Sequence, residues 1–159
     1  MDSIVGASRP VKSSIAFLPL LAVAVVFPPP ATVLATGGVA LLNDLFLREG
    51  RVLSRAAFNT AQTALAYGLG GWVFHFVVGV VSPDTVAAPG LEFASSFFPF
   101  YALAITVFAL NLLFVSAYVA LRERQPLLLI LQDTAGRGGG NLLYDLLASP
   151  VALLAAYLY

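Results

Sequence analysis

The stretch from Ala56 to Val81, AAFNTAQTALAYGLGGWVFHFVVGVV, decides the fold class, because it contains no Asp, Glu, Lys or Arg. A helix needs roughly 20 apolar residues to cross about 30 Å of hydrocarbon, and this run is longer. A second run, Phe93 to Leu121, is also free of charged side chains. Backbone amides in lipid have no water to bond, so each run is expected to close its hydrogen bonds within a helix. Composition points the same way. Of the 159 residues, 60% are hydrophobic and 10% charged, against about 25% charged in a typical soluble domain. Too few polar groups exist to cover a water-facing surface, so the lipid bilayer is the expected partner of the apolar excess.

Working outward toward the N-terminus, Ile15 to Phe27 is apolar, Pro28-Pro29-Pro30 interrupts it, and Ala31 to Leu47 is apolar again apart from Asn43 and Asp44. Three consecutive prolines remove three amide donors and cannot lie inside a helix. Two short spans joined by a tight Pro turn are expected, with Pro opening the second helix. A re-entrant hairpin, or a cleavable leader preceded by Arg9 and Lys12, would share this pattern. Toward the C-terminus, Pro126 to Leu131 is apolar but too short to cross, and is expected to lie at the interface or pack under the bundle. Gly136 and Gly138 to Gly140 predict a flexible turn into a last helix from Asn141 to Tyr159. The expectation is a single all-α membrane domain over residues 1–159, with about five transmembrane helices near 14–27, 29–47, 56–81, 97–121 and 141–159.

Charge placement orients these spans. Arg9 and Lys12 precede the first; Arg48, Arg51 and Arg55 separate the second and third; Arg122, Arg124 and Arg137 separate the fourth and fifth. The remaining loop, Ser82 to Glu92, has Asp84 and Glu92 but no basic residue. The positive-inside rule then puts all eight basic residues in the cytoplasm of a multi-pass inner (plasma) membrane protein. The N-terminus is inside and Tyr159 outside. A sixth crossing would be needed to carry a cytoplasmic domain, so a fragment of a longer protein is expected.

Composition also narrows the chemistry. The net charge is zero, so no basic field draws in nucleic acid. Cysteine is absent, and one His and one Met leave little material for a metal site. No cofactor or metal is expected. The Gly136–Gly140 run precedes a helix but lacks the Gly-Lys-Ser/Thr ending and strand context of a phosphate loop. With no paired catalytic carboxylates and no Ser-His-Asp set, no catalytic residue is named and the chain is not expected to be an enzyme.

Six polar positions stand out within the apolar runs. Asp44, beside Asn43, is a possible intramembrane acid of the kind that serves proton relays or ligands, or it pairs with Arg48 four residues on. Asn59 and Gln62 lie one turn apart on one helix face. Asn111 lies mid-way along its span and must find a partner, for which the Asn59/Gln62 face or Thr106 is expected. Asn59, Gln62 and Asn111 are the candidate ligand-binding residues, with interhelical packing as the alternative role. His75, flanked by Trp72, Phe74 and Phe76, fits an interfacial aromatic belt. Asp145, with Asn141 and Tyr144, suits the favourable end of a helix dipole.

The order Leu41-Leu-Asn-Asp-Leu45, a basic stretch, Phe58-Asn59-Thr-Ala-Gln62 and Asn111-Leu-Leu-Phe-Val115 resembles the N-terminal multi-helix membrane region of bacterial cyclic di-GMP signalling proteins that carry HD-GYP or GGDEF domains. The resemblance covers about Leu18 to Tyr159. It implies a membrane sensor or anchor module that couples a ligand or membrane state to a cytoplasmic output domain. No His-Asp metal motif, Gly-Tyr-Pro or Gly-Gly-Asp-Glu-Phe occurs in the chain, so phosphodiesterase or cyclase activity is not implied for these residues. The alternative is a small-molecule-binding membrane subunit of an uptake transporter. In either case the basic inner loops would meet the partner protein.

Overall fold

The computed structural model describes residues 17–47, 53–81 and 93–158, which form helices and short turns; no strand occurs among the described residues. Helix α1 (Phe17–Val26) and helix α2 (Pro29–Leu42) meet at Phe27 and Pro28. Pro28 to Pro30 cannot extend α1, but Pro29 fits the first turn of α2, where a missing N–H leaves no broken bond. The amide of Thr32 restarts the ladder on the carbonyl of Pro28 at 3.0 Å. At its other end α2 widens into a π-helical segment, Asn43–Leu47.

Helix α3 (Leu53–Val81) has 29 residues and helix α4 (Phe93–Glu123) has 31. Both exceed the roughly 20 residues of a bilayer crossing. Among the described residues these two are long and apolar enough to span, over Leu53–Val80 and Ser96–Glu123. Helix α4 ends without glycine. Arg124 takes φ 54° and the amide of Gln125 bonds the carbonyl of Ala120 at 3.0 Å. This is a Schellman closure with an L-residue in the left-handed position.

The C-terminal third differs from the sequence expectation. The backbone stays helical through Gly136 and Gly138–Gly140 as α5 (Leu127–Ala148), so the expected Gly turn is absent and the Pro126–Leu131 run opens one continuous helix. The break falls at Ser149, and α6 (Pro150–Leu158) follows. A helical glycine costs about 1 kcal/mol relative to Ala, whereas Pro150 removes an amide and clashes with the carbonyl four residues back. That carbonyl belongs to Leu146, and the Ser149 hydroxyl donates to it at 2.7 Å in place of the missing N–H. The single helix expected over 141–159 is therefore the end of α5 followed by α6.

Helix α3 is the axis of the bundle, with α1, α2 and α4 packed on it; α5 lies on α4 and α6 returns onto α1. The apolar core gathers Leu21, Val25, Tyr67, Phe74, Phe100, Leu103, Val107 and Leu153 from α1, α3, α4 and α6. Two glycines of α3 permit this closeness. A Cβ at Gly71 would lie 3.3 Å from the Ala24 carbonyl oxygen, and one at Gly70 would lie 2.6 Å from Val107 Cγ2. Helices α1 and α4 thus approach α3 where it carries no side chain.

Candidate functional site

Beside this core, toward the opposite end of the bundle, α3 presents polar side chains. Asn59, Gln62 and Thr63, one turn apart or adjacent on α3, line a cavity of about 210 Å3 together with Ala40, Asn43 and Asp44. The π segment supplies Asn43 and Asp44. A π turn interrupts the regular i→i−4 ladder, and such turns recur at functional positions.

Two side-chain bonds organise the site. The Asn59 amide Nδ2 donates to Asp44 Oδ2 at 2.6 Å, which ties α3 to the π segment. The Gln62 amide Nε2 donates to Asn111 Oδ1, which ties α3 to α4. Asp44 is 7% exposed and Gln62 is 9% exposed, so these groups exchange water for each other. A buried amide without a partner would cost about 1–3 kcal/mol. Four polar positions named from sequence thus form two bonded pairs, Asp44–Asn59 and Gln62–Asn111, which meet α3 one turn apart. Thr106, the other expected partner of Asn111, instead donates to its own Ala102 carbonyl at 2.7 Å.

The remaining sequence candidates lie elsewhere. The expected Asp44–Arg48 pair involves a residue outside the described part of the chain, as do the side chains of Asn141, Tyr144 and Asp145. Trp72 and Phe76 stack at 5.4 Å on the exposed face of α3, while Phe74 is buried in the core. The aromatic group around His75 therefore divides between surface and core. His75 Nε2 donates to the Phe27 carbonyl at 3.1 Å, and the Thr32 hydroxyl donates to the same oxygen at 3.2 Å. Both satisfy a carbonyl that the proline turn leaves outside the helical ladder. Sequence reading gave no sign of this bond, which joins residues 48 positions apart. It gave no sign either of the buried Thr60 and Ser116 hydroxyls, which have no hydrogen-bond partner among the described residues.

The site holds one carboxylate, three carboxamides and one hydroxyl around a small cavity. It can bind a polar molecule by hydrogen bonds and charge, and a change in its contents would act on the α2–α3 and α3–α4 contacts together. Among the described residues no group of three or more His, Cys, Asp or Glu is placed to hold a metal ion. Comparison with protein-family models, with characterised proteins and with solved structures finds no match to this chain.

Proposed function

We propose that this chain is a membrane-embedded sensor module, in which occupancy of the polar cavity shifts the packing of α2 and α4 against α3. The observation that carries the reading is the pair of side-chain bonds, Asp44–Asn59 and Gln62–Asn111, which link three elements around one cavity. A ligand that competes for either bond changes the relative stability of two helix arrangements. A cytoplasmic output domain, as the family resemblance implies, would read that shift.

Membrane insertion is supported by where the apolar surface lies. Only 33% of the most apolar window of α3 and 22% of that of α4 is buried inside the protein. Leu65, Leu69, Trp72, Phe98, Ile105 and Leu113 all face outward. Lipid would cover this surface at no hydrophobic cost. In the five-span arrangement the α1–α2 hairpin crosses with its tip outward. The Phe27–His75 bond places that tip about 9 Å along α3 from Val81, which favours a deep hairpin over a shallow re-entrant one.

The chain has no cysteine, which makes single-cysteine chemistry direct. Thr63→Cys in inverted vesicles should react with a small water-soluble thiol reagent and be protected by a cell-extract fraction that contains the ligand. A Thr63→Cys protein that never reacts, while Arg124→Cys reacts fully, sinks the cavity as a ligand site. For the topology, Asp84→Cys should label only from outside and Arg124→Cys only from inside. Labelling of both from one side refutes five spans.

A further inference from the structure

We infer that the groove between α1 and α6 holds one acyl chain of a phospholipid, an inference that rests on the membrane-embedded reading and is independent of the polar cavity. The groove has a volume of about 460 Å3 and is lined by α1 from Leu18 to Phe27 and by α6 from Val151 to Ala156. Alanines at 22, 152, 155 and 156 are too short to fill the space between the two backbones, which leaves it open. Among the described residues no polar or charged side chain lines it. Phe27, Val151 and Ala155 are exposed at its rim, so the groove opens to the outside of the bundle.

Depth and width identify the occupant. Helices α1 and α3 run side by side in one direction, since Gly71 lies against Ala24 and His75 bonds the Phe27 carbonyl. Leu18 is nine residues before Phe27, which puts it level with Ala66, close to the midpoint of α3 (Leu53–Val81). The groove therefore runs from the middle of the span toward its Val81 end, over about 14 Å at 1.5 Å per residue. One leaflet offers about 15 Å of hydrocarbon, half of the roughly 30 Å core. Spread over that length, the volume gives a mean cross-section of about 34 Å2. A helix with its side chains is about 10–12 Å across, so no helix of a second copy or of another protein fits inside. As a surface, a strip about 14 Å by 6 Å offers on the order of 100 Å2, against about 800 Å2 per partner in a stable protein interface. A single hydrocarbon chain is narrow enough and long enough. Apolar space stays dry, and an empty groove would cost its lining dispersion contacts. A chain in the groove touches protein on two sides, whereas a chain on the outer face of α3 touches it on one.

The test is photolabelling of the full chain in nanodiscs of phosphatidylcholine that carries a diazirine midway along one acyl chain. After irradiation and digestion, mass spectrometry locates the adducts. Val23 lines the groove, and Leu69 is exposed on α3 at nearly the same depth. Val23 should be labelled severalfold more than Leu69. Ala155→Phe puts a ring into the groove and should bring Val23 down to the Leu69 level while Leu69 itself is unchanged. Unchanged helical circular dichroism and elution volume show that this variant is folded. Val151→Phe, at an exposed rim position, is a second filling variant and should act in the same direction.

Val23 labelled no more than Leu69, or labelled equally before and after the groove is filled, overturns the acyl-chain site while Leu69 labelling upholds membrane insertion. Strong labelling of Leu69 with none at Val23 also overturns it, because something other than lipid then covers the groove. Labelling of neither residue refutes the membrane-embedded reading itself, and the acyl-chain site with it.

Discussion

Replacing Gln62 and Asn111 by Leu, singly and together, measures the bond that joins α3 to α4. Gln62 is 9% exposed, so the Asn111→Leu variant strands its amide where water cannot reach it. The stranded amide costs about 1–3 kcal/mol. Gln62→Leu leaves Asn111 without its partner mid-way along an apolar helix, at a similar cost. The double variant has no amide to strand and should be less destabilised than the sum of the singles. The expected coupling is about 0.6–2 kcal/mol, or roughly 3- to 30-fold in the unfolding equilibrium. The two residues are 49 positions apart, so the cycle reports a tertiary contact and not a shared helix propensity. Detergent-driven unfolding in mixed micelles supplies the equilibrium, read by circular dichroism and by the fluorescence of the single tryptophan, Trp72. Effects that add to within about 0.3–0.5 kcal/mol refute the contact as an energetic link between these helices.

Three further perturbations read other parts of the bundle. Gly71→Ala puts a Cβ 3.3 Å from the Ala24 carbonyl oxygen, a backbone atom that cannot rotate away. It should lower stability by about 1 kcal/mol, whereas Gly79→Ala, with nothing within 4 Å of its Cβ, should raise it by up to about 1 kcal/mol; the same unfolding assay gives both signs. Arg124→Gly relieves a left-handed L-residue at φ 54° and should stabilise by about 1 kcal/mol, seen as a higher thermal midpoint. Pro150→Ala should let α5 run straight into α6 and draw Leu153 away from the core. Spin labels on α1 and α6 would report the increased separation, and an unchanged distance would show that proline does not set the break.

The helical class was legible because two uncharged runs leave few alternatives. Asn59 and Gln62 were legible as one face because their spacing is one helical turn, and Asn111 because an amide mid-way along an apolar run demands a partner. Other features depend on competition that local sequence does not display. Glycines at 136 and 138–140 look like a turn, yet each costs a helix only about 1 kcal/mol, and the ladder continues through them to Ser149. Pro150 was visible throughout, but its effect was hidden by reading the run after Asn141 as one helix. The widening at Asn43 was equally hidden, because the side chains of Leu-Leu-Asn-Asp-Leu suit an α turn as well as a π turn. The His75–Phe27 bond needs the hairpin and α3 already in place, so no local pattern encodes it.

The return of α6 onto α1 has a consequence for the order of assembly. Leu21, Ala24 and Val25 are covered in part by α3, but their remaining cover includes Ala152, Leu153 and Ala156, about 130 residues further along the chain. At a synthesis rate of about 5–20 residues per second, α1 waits roughly 6–26 s before those residues leave the ribosome. Helices α2, α3 and α4 pack against neighbours made just before them and have no such delay. Of the described helices, α1 is therefore among the last to be fully enclosed. Until α6 arrives, that side of α1 lacks its final cover, and this interval is where truncation or slow synthesis would leave the bundle open to the wrong neighbour.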